Sequence, residues 1–329
     1  MLRRVLSFLF KYIACFRSRL YQYGLIRTIK VDARVISVGN ISVGGAGKTP
    51  MSIWITKKIA EHGTKVALLE KGYKSKIGKK DVFISCDCKE ADAGSIGDEP
   101  AMALKALEGK ALVCVSKDKT NGAVELIKRY PNIQCIVLDD GFQHLKLHRD
   151  LNILLMDAEE GFSGRVIPLG RLRECFRALG RADILVFTKS EGLTDDAKKE
   201  LSKKAMGYNK EIKIYFATVK LFSTADLNGV KIFPVSSIAN YGFFHKKLKS
   251  AGAIFEKYIA HRDHHDFAPK DIGEIVKGLR ASGSDFVVYT SKDAVKIGDT
   301  LKKNGIPTIE VWYEHEMENA EEFLKLCIG

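Results

Sequence analysis

The chain has 329 residues, 46% of them hydrophobic, which excludes a disordered polypeptide and leaves room for about two cores. Its 53 basic and 40 acidic residues give a net charge of +13, so an anionic partner is expected: nucleic acid, an acidic membrane surface or a phosphorylated substrate. Seven cysteines at 15, 86, 88, 114, 135, 175 and 327 form no C-x-x-C pair, and several sit in apolar runs; this reads as reduced thiols of a cytosolic interior, not a disulfide framework or zinc site.

Residues 1–23 place Leu2, Val5, Leu6, Leu9, Ile13, Phe16 and Leu20 at intervals of three and four, with Arg4, Ser7, Lys11 and Ser18 opposite. This predicts an amphipathic helix, basic and free of acids, suited to the plane of an anionic membrane surface. Lys11 interrupts it too early for a span, and no small-residue cleavage site follows. The same pattern also suits a helix packed on its own domain.

Next, the apolar run Val35-Ile36-Ser37-Val38 leads into Gly39-Asn40-Ile41-Ser42-Val43-Gly44-Gly45-Ala46-Gly47-Lys48-Thr49-Pro50. Strand, glycine-rich loop and helix start make a phosphate-binding loop. Backbone N–H groups at Gly44, Gly45, Ala46 and Gly47 converge on phosphate oxygens, Lys48 bridges the terminal phosphates, and the Thr49 hydroxyl suits Mg²⁺. In G-x-x-x-x-G-K-[ST] the first glycine falls at Ser42, so the spacing departs from the standard one. A plain glycine-rich turn gives no reason for Lys-Thr after it.

A helix through about Ala60 and the strand Lys65–Leu69 follow. Strands are predicted at Leu112–Val115, Ile133–Leu138, Leu151–Met156, Ile184–Phe187 and Ile212–Phe216, with helices such as Pro100–Leu107 and Ala123–Arg129 between them. The fold class is therefore α/β, a P-loop NTPase-like, mostly parallel sheet covered by helices, with the ligand beyond the carboxyl ends of the strands. From 217 to 232 the turn signal Asp226-Leu227-Asn228-Gly229 predicts a β-hairpin linker. A smaller C-terminal α/β domain over 233–329 has helices at Asn240–Ser250 and Lys270–Ala281, strands at Asp285–Thr290 and Thr308–Trp312, and a last helix near Glu316–Leu326. Residues 26–216 form the P-loop core and 1–25 the amphipathic segment. Basic residues are dispersed without interleaved aromatics, so no nucleic-acid surface is expected.

Five stretches carry possible chemistry. Asp139-Asp140-Gly141-Phe142-Gln143-His144 ends an apolar strand, where an acid meets the Mg²⁺ of the loop threonine; Asp140 also suits an Asx-turn, and Gln143 and His144 either orient phosphate or pack the loop. In Gly97-Asp98-Glu99-Pro100, Asp98 reads either as a helix N-cap or as a general base near the γ-phosphate. The cluster His261-Arg262-Asp263-His264-His265-Asp266 offers that base a partner across a cleft, whereas zinc lacks cysteine ligands there. Ile167–Glu174, with Arg171 and Arg173, reads as a phosphate contact or a basic helix start; in Thr290–Lys296, Ser291 reads as a cap, and Lys292 and Asp293 remain nucleotide-contact candidates.

Taken together and in order, these motifs resemble the tetraacyldisaccharide 4′-kinases, the lipid A 4′-kinases. Their G-N-x-x-x-G-G-x-G-K-T-P loop is matched at Gly39–Pro50, G-D-E-P at Gly97–Pro100, D-D-G-F-Q-H at Asp139–His144, Asp-His at Asp263–His264, and K-D-A-V-K at Lys292–Lys296. The resemblance implies transfer of the γ-phosphoryl group of ATP, with Mg²⁺, to the 4′-hydroxyl of a tetraacylated glucosamine disaccharide 1-phosphate, giving lipid IVA. It implies a peripheral enzyme at the cytoplasmic face of the bacterial inner membrane. Carried over by position, Thr49, Asp139, Asp140 and Glu99 serve Mg²⁺; Asp98 is the base, tuned by His264; and Gln143, His144, Arg173 and Lys292 contact substrate or phosphate. Arg171 replaces a proline of the family pattern, Lys71 an arginine and Ser291 a glutamate. The rival expectation is a membrane-associated P-loop ATPase or GTPase that switches for a partner, although Thr188-Lys189-Ser190-Glu191 lacks the Asn and Asp of a guanine-reading element.

Overall fold

The computed structural model describes residues 2–85 and 93–329, so Cys86 and Cys88, read above with the other reduced thiols, lie outside the described residues. In chain order the elements are α1 (Leu2–Gln22), β1 (Arg34–Asn40), α2 (Lys48–Glu61), β2 (Val66–Glu70), β3 (Val82–Ile84), α3 (Ala93–Ile96), α4 (Asp98–Leu107), β4 (Leu112–Ser116), α5 (Lys119–Arg129), β5 (Cys135–Leu138), β6 (Leu151–Asp157) and β7 (Ile184–Thr188). Then come α6 (Asp195–Met206), β8 (Lys213–Ser223), β9 (Ile232–Ser236), α7 (Tyr241–Ser250), β10 (Ile259–Ala260), α8 (Pro269–Ser282), β11 (Phe286–Thr290), α9 (Ser291–Asp293), α10 (Asp299–Lys303), β12 (Thr308–Met317) and α11 (Ala320–Ile328).

The strands form one sheet in the order β10-β9-β11-β12-β8-β7-β6-β1-β5-β2-β4-β3. Every neighbouring pair is parallel except β12 with β8 and β3 with β4. Strand β1 lies between β5 and β6 and is buried from Val35 to Asn40, as expected of a strand covered on both faces. Its alternation sorts the core: Ile36 and Val38 pack with Met51, Ile55 and Ile59 of α2, whereas Val35 packs with Ala123 and Leu126 of α5. The mostly parallel α/β class read from the sequence is the observed one.

The linker differs from expectation. β8 does not turn back on β9; its Ala217–Ser223 pairs antiparallel with Val311–Met317, and β9 pairs with β11 and β10. Asp226–Gly229 does turn, but the strands on either side of it find long-range partners, and β11 and β12 lie between them. Strand β12 is also longer than predicted. It takes up Glu316 and Met317, so the last helix starts at Ala320. Residues 308–311 pair with β11 while 311–317 pair with β8, and one strand thereby knits the C-terminal strands to the P-loop sheet.

Helix α1 packs the reverse of a core helix. Ser7 and Ser18 are its buried residues, while Leu9, Ile13 and Phe16 are 50, 66 and 64% exposed. The Ser7 hydroxyl donates to the Val166 carbonyl at 2.7 Å, and Arg181 donates to the Ser18 hydroxyl at 3.1 Å. Packing through the apolar face is thus replaced by docking through the small polar one. Among the described residues no helix is long and apolar enough to cross a membrane.

Candidate functional site

The phosphate loop emerges from the carboxyl end of β1. Gly47 has φ 75° and caps α2 without a side chain, in the left-handed region that glycine enters without strain. A Cβ there would lie 2.8 Å from His315 Nε2. That histidine, on β12, hydrogen-bonds the Gly47 carbonyl at 3.1 Å. Burial pushes its pKa down to about 4, so it is neutral and Nε2 carries the donated proton. In the unfolded chain it titrates near 6.5, so the unfolded state binds the extra proton as pH falls from 6.5 towards 4, and stability drops over that window by on the order of 3 kcal/mol. His315→Gln, which keeps a donor but does not titrate, is expected to flatten the dependence of the urea midpoint on pH across that window. An unchanged slope would show that His315 is not its source.

A second loop runs beside the first. Val43 N–H donates to the Arg171 carbonyl at 2.7 Å, and Arg173 N–H to the Ile41 carbonyl at 2.7 Å. The Arg173 guanidinium reaches Asp140 at 2.9 Å and the Asn40 side chain at 3.2 Å, so the reading as a basic helix start gives way to a brace on the phosphate loop. Arg171 donates to the Val43 carbonyl at 3.0 Å and pairs with Glu160 at 2.9 Å. Gln143 supports the same brace through the Asn40 carbonyl at 2.8 Å. His144 turns away from the loop to the Thr120 hydroxyl at 2.9 Å, and burial, aided by Lys119, pushes its pKa down to about 4. Neither Gln143 nor His144 lines the cleft described next.

A cleft of about 870 Å³ opens above Gly44–Thr49 and runs to the C-terminal strands, lined also by Glu99, Asp139, Asp140, Arg173, His264 and Lys292. Asp139 accepts from the Thr49 hydroxyl at 2.7 Å and the Ser52 hydroxyl at 2.8 Å, while Lys48 stands 3.8 Å from Asp140. The Asp140 carboxyl is held below the usual range: burial alone raises it, but Lys48 and Arg173 outweigh that.

Glu70, Glu99 and Asp139 each offer a carboxylate oxygen, all within 4.8 Å of one another. Burial, then Asp139, pushes the Glu70 carboxyl well above the ordinary range, and one of its oxygens is buried without a hydrogen-bond partner. Burial also raises Glu99. An all-oxygen donor set with an orphaned lone pair and crowded carboxylates fits a hard divalent cation. Glu70 escaped the sequence reading although it ends the apolar run Val66–Leu69, the same signal that singled out Asp139. Lys119 was missed as well; it is 4% exposed, and its ammonium donates to the carbonyls of Asp139 and Asp140.

Across from these, α4 begins at Asp98. The N-cap is Gly97, at φ 101°, so Asp98 is not the cap. Its carboxylate meets His264 Nδ1 at 2.9 Å. His264 sits at φ 58°, a left-handed conformation costing a non-glycine residue on the order of 1–2 kcal/mol. The Lys74 ammonium on its carbonyl at 2.6 Å, the Tyr73 ring at 4.8 Å and Asp98 hold it there. Burial alone would raise the Asp98 carboxyl; the His264 hydrogen bond with Lys292 and Lys296 instead holds it below the ordinary range.

Lys292 lies 2.9 Å from Asp263, 3.2 Å from His264 Nε2 and 3.3 Å from Glu99. Burial disfavours its charge, yet Glu99, Asp98 and Asp263 raise its pKa, so it is an ammonium. Asp293 turns inward instead, to Ser237 and Thr290. Ser291 does not cap α9; Thr290 does, while Ser291 donates to Glu310 at 2.7 Å. His265 hydrogen-bonds Asp271 at 3.0 Å and stacks on His261, anchoring the loop that carries His264. Lys189, in the stretch that lacks the guanine-reading Asn and Asp, is paired with Asp157.

Comparison with known proteins gives one family. The family model described as tetraacyldisaccharide-1-P 4′-kinase (LpxK) matches residues 1–327. The chain is 33% identical over 314 residues to the tetraacyldisaccharide 4′-kinase of Bdellovibrio bacteriovorus, covering 92% of this chain and 91% of that protein. With the enzyme of the same name from Halothermothrix orenii it shares 33% over 323 residues, 91% and 83% of the two chains. The crystal structure of LpxK from Aquifex aeolicus in complex with ATP superposes with a TM-score of 0.74 at 28% identity, over 99% of this chain and 98% of that one.

Proposed function

The chain belongs to the tetraacyldisaccharide-1-P 4′-kinase family, and on that premise we propose how its cleft works as an ATP-dependent lipid kinase. The enzyme transfers the terminal phosphoryl group of ATP to the 4′-hydroxyl of a tetraacylated disaccharide 1-phosphate. One observation carries the assignment of roles: His264 and Glu99 line the cleft that the phosphate loop opens into, and His264 Nδ1 holds the Asp98 carboxylate, next to Glu99, at 2.9 Å.

Residues Gly44–Gly47 cradle the phosphates with backbone N–H groups, and Lys48 leaves Asp140 for the terminal phosphate, leaving Arg173 to hold Asp140. Thr49, Glu70, Glu99 and Asp139 would hold Mg²⁺, with Asp140 beside them. Bound there, the ion would supply neutralisation of phosphate charge. Asp98 takes the proton of the attacking hydroxyl. Its lowered pKa keeps it ionised at neutral pH, and since the hydroxyl proton grows acidic as its oxygen bonds phosphorus, a weak base within reach suffices. His264 orients that carboxylate through Nδ1, and the Lys292 ammonium keeps the surrounding acids from repelling the incoming phosphates. Catalysis is then mostly positioning and charge, as phosphoryl transfer requires.

The exposed apolar face of α1 would lie in the interface of an anionic bilayer, with Arg3, Arg4 and Lys11 at the headgroups, bringing the cleft to a substrate held by its acyl chains at the cytoplasmic face of the inner membrane. The test is ATP labelled in its γ-phosphate with tetraacyl disaccharide 1-phosphate in mixed micelles. Label is expected in the lipid, and only when disaccharide and Mg²⁺ are present. ATP turnover indifferent to the disaccharide, with label released as free phosphate, would overturn the reading in favour of a P-loop switch.

A further inference from the structure

Two thiols meet where α1 docks. Cys15 Sγ, on the flank of α1 between Ser7 and Ser18, lies 3.7 Å from Cys175 Sγ. Cys175 precedes the short helix Phe176–Arg181 and follows Glu174, whose carboxylate takes Arg181 at 3.0 Å. Both thiols are partly exposed. A disulfide needs sulfurs about 2.0 Å apart, a distance that side-chain rotation plus a small shift of a docked helix can supply. The other cysteines of the described residues, Cys114, Cys135 and Cys327, are buried.

We propose that Cys15 and Cys175 form a reversible oxidation site, which peroxide converts to a disulfide that fastens α1 to the segment carrying Arg173. One thiolate attacks a peroxide oxygen; the O–O bond breaks, hydroxide leaves, and a sulfenic acid forms. The second thiolate then attacks that sulfur, the S–O bond breaks and the S–S bond forms. Two thiols lose two electrons, and the peroxide with the two thiol protons becomes two waters. A dithiol reductant reverses the step by exchange.

The consequence is mechanical. In the reduced protein α1 is held by the Ser7 hydroxyl on Val166, by Arg181 on Ser18 and by Arg17 on the Gln143 carbonyl. Oxidised, it is tied nine residues from Val166 and two residues from Arg173, and the brace on the phosphate loop moves with it. Burial and then Cys175 and Glu174 raise the Cys15 pKa, so the Cys15 thiolate is scarce at neutral pH.

The test is mass spectrometry of the intact, full-length protein after hydrogen peroxide and alkylation of the remaining thiols, followed by non-reducing peptide mapping. The expected result is a monomer about 2 Da lighter before alkylation, a Cys15–Cys175 linked peptide, restoration by dithiothreitol, and no such species in Cys15→Ser or Cys175→Ser. Sulfinic or sulfonic acid on either cysteine without the link, cross-links between chains, or two thiols still alkylatable after peroxide would each overturn the proposal. Circular dichroism of the two serine variants, which replace sulfur by oxygen only, shows that they fold.

Discussion

Asp98→Asn is expected to lower kcat by about 10²–10⁴-fold while leaving the affinity for ATP near that of the unaltered enzyme. The substitution keeps the size of a side chain that is only 8% exposed and removes the charge that the His264 hydrogen bond, Lys292 and Lys296 sustain. None of the phosphate-loop contacts involves Asp98, so binding of nucleotide has no reason to change. His264→Gln should cost less, because the carboxylate remains and only its orientation loosens. Single-turnover transfer of label to the lipid measures the chemical step. Near-normal transfer by Asp98→Asn would reduce Asp98 to a partner that holds His264 in its left-handed conformation. Lowering pH offers a second check. The folded Asp98 pKa lies below the unfolded value, so its contribution to stability is present above the unfolded pKa and is lost as pH falls through the folded one.

Replacing Leu9, Ile13 and Phe16 together by Ser is expected to weaken binding to anionic vesicles by roughly 10³-fold or more, from about 1.5–3 kcal/mol for each apolar side chain withdrawn from the interface. These side chains already face solvent in the folded protein, so its thermal midpoint should stay within a degree or so. That separation gives the experiment its force. A triple variant that loses vesicle binding but keeps its melting temperature identifies a membrane face, whereas one that melts early and still sediments with vesicles identifies a core face. Vesicle sedimentation alongside thermal unfolding measures both.

What the sequence made legible was local. Apolar runs such as Cys135–Leu138 and Leu151–Met156 are strands because parallel strands buried on both faces need no alternation, and glycines followed by Lys48-Thr49 leave one plausible use. Periodicity showed that α1 has two faces but not which one meets the protein, since exposed apolar surface and buried serine invert the usual rule. Asp226–Gly229 announced a turn, and nothing near it announced that β12, some 85 positions on, would take the hydrogen bonds of β8. Glu70 was hidden because an acid at the end of an apolar run looks like the point where burial stops. Its meaning depends on Glu99 and Asp139 converging from two other elements. The pairing of Asp98 with His264 spans 166 positions and is beyond the reach of spacing; only the order of motifs pointed to it.

Strand β12 has a consequence for how the chain acquires activity during synthesis. Thr308–Val311 completes the ladder with β11, Val311–Met317 completes that with β8, and His315 secures Gly47. Until these residues leave the ribosome, β8 and β11 each present an unpaired edge and the phosphate loop lacks its clasp. A product that ends before β12 would therefore keep the strands around β1 but lack the ladder that joins them to the C-terminal strands and the His315 contact on Gly47.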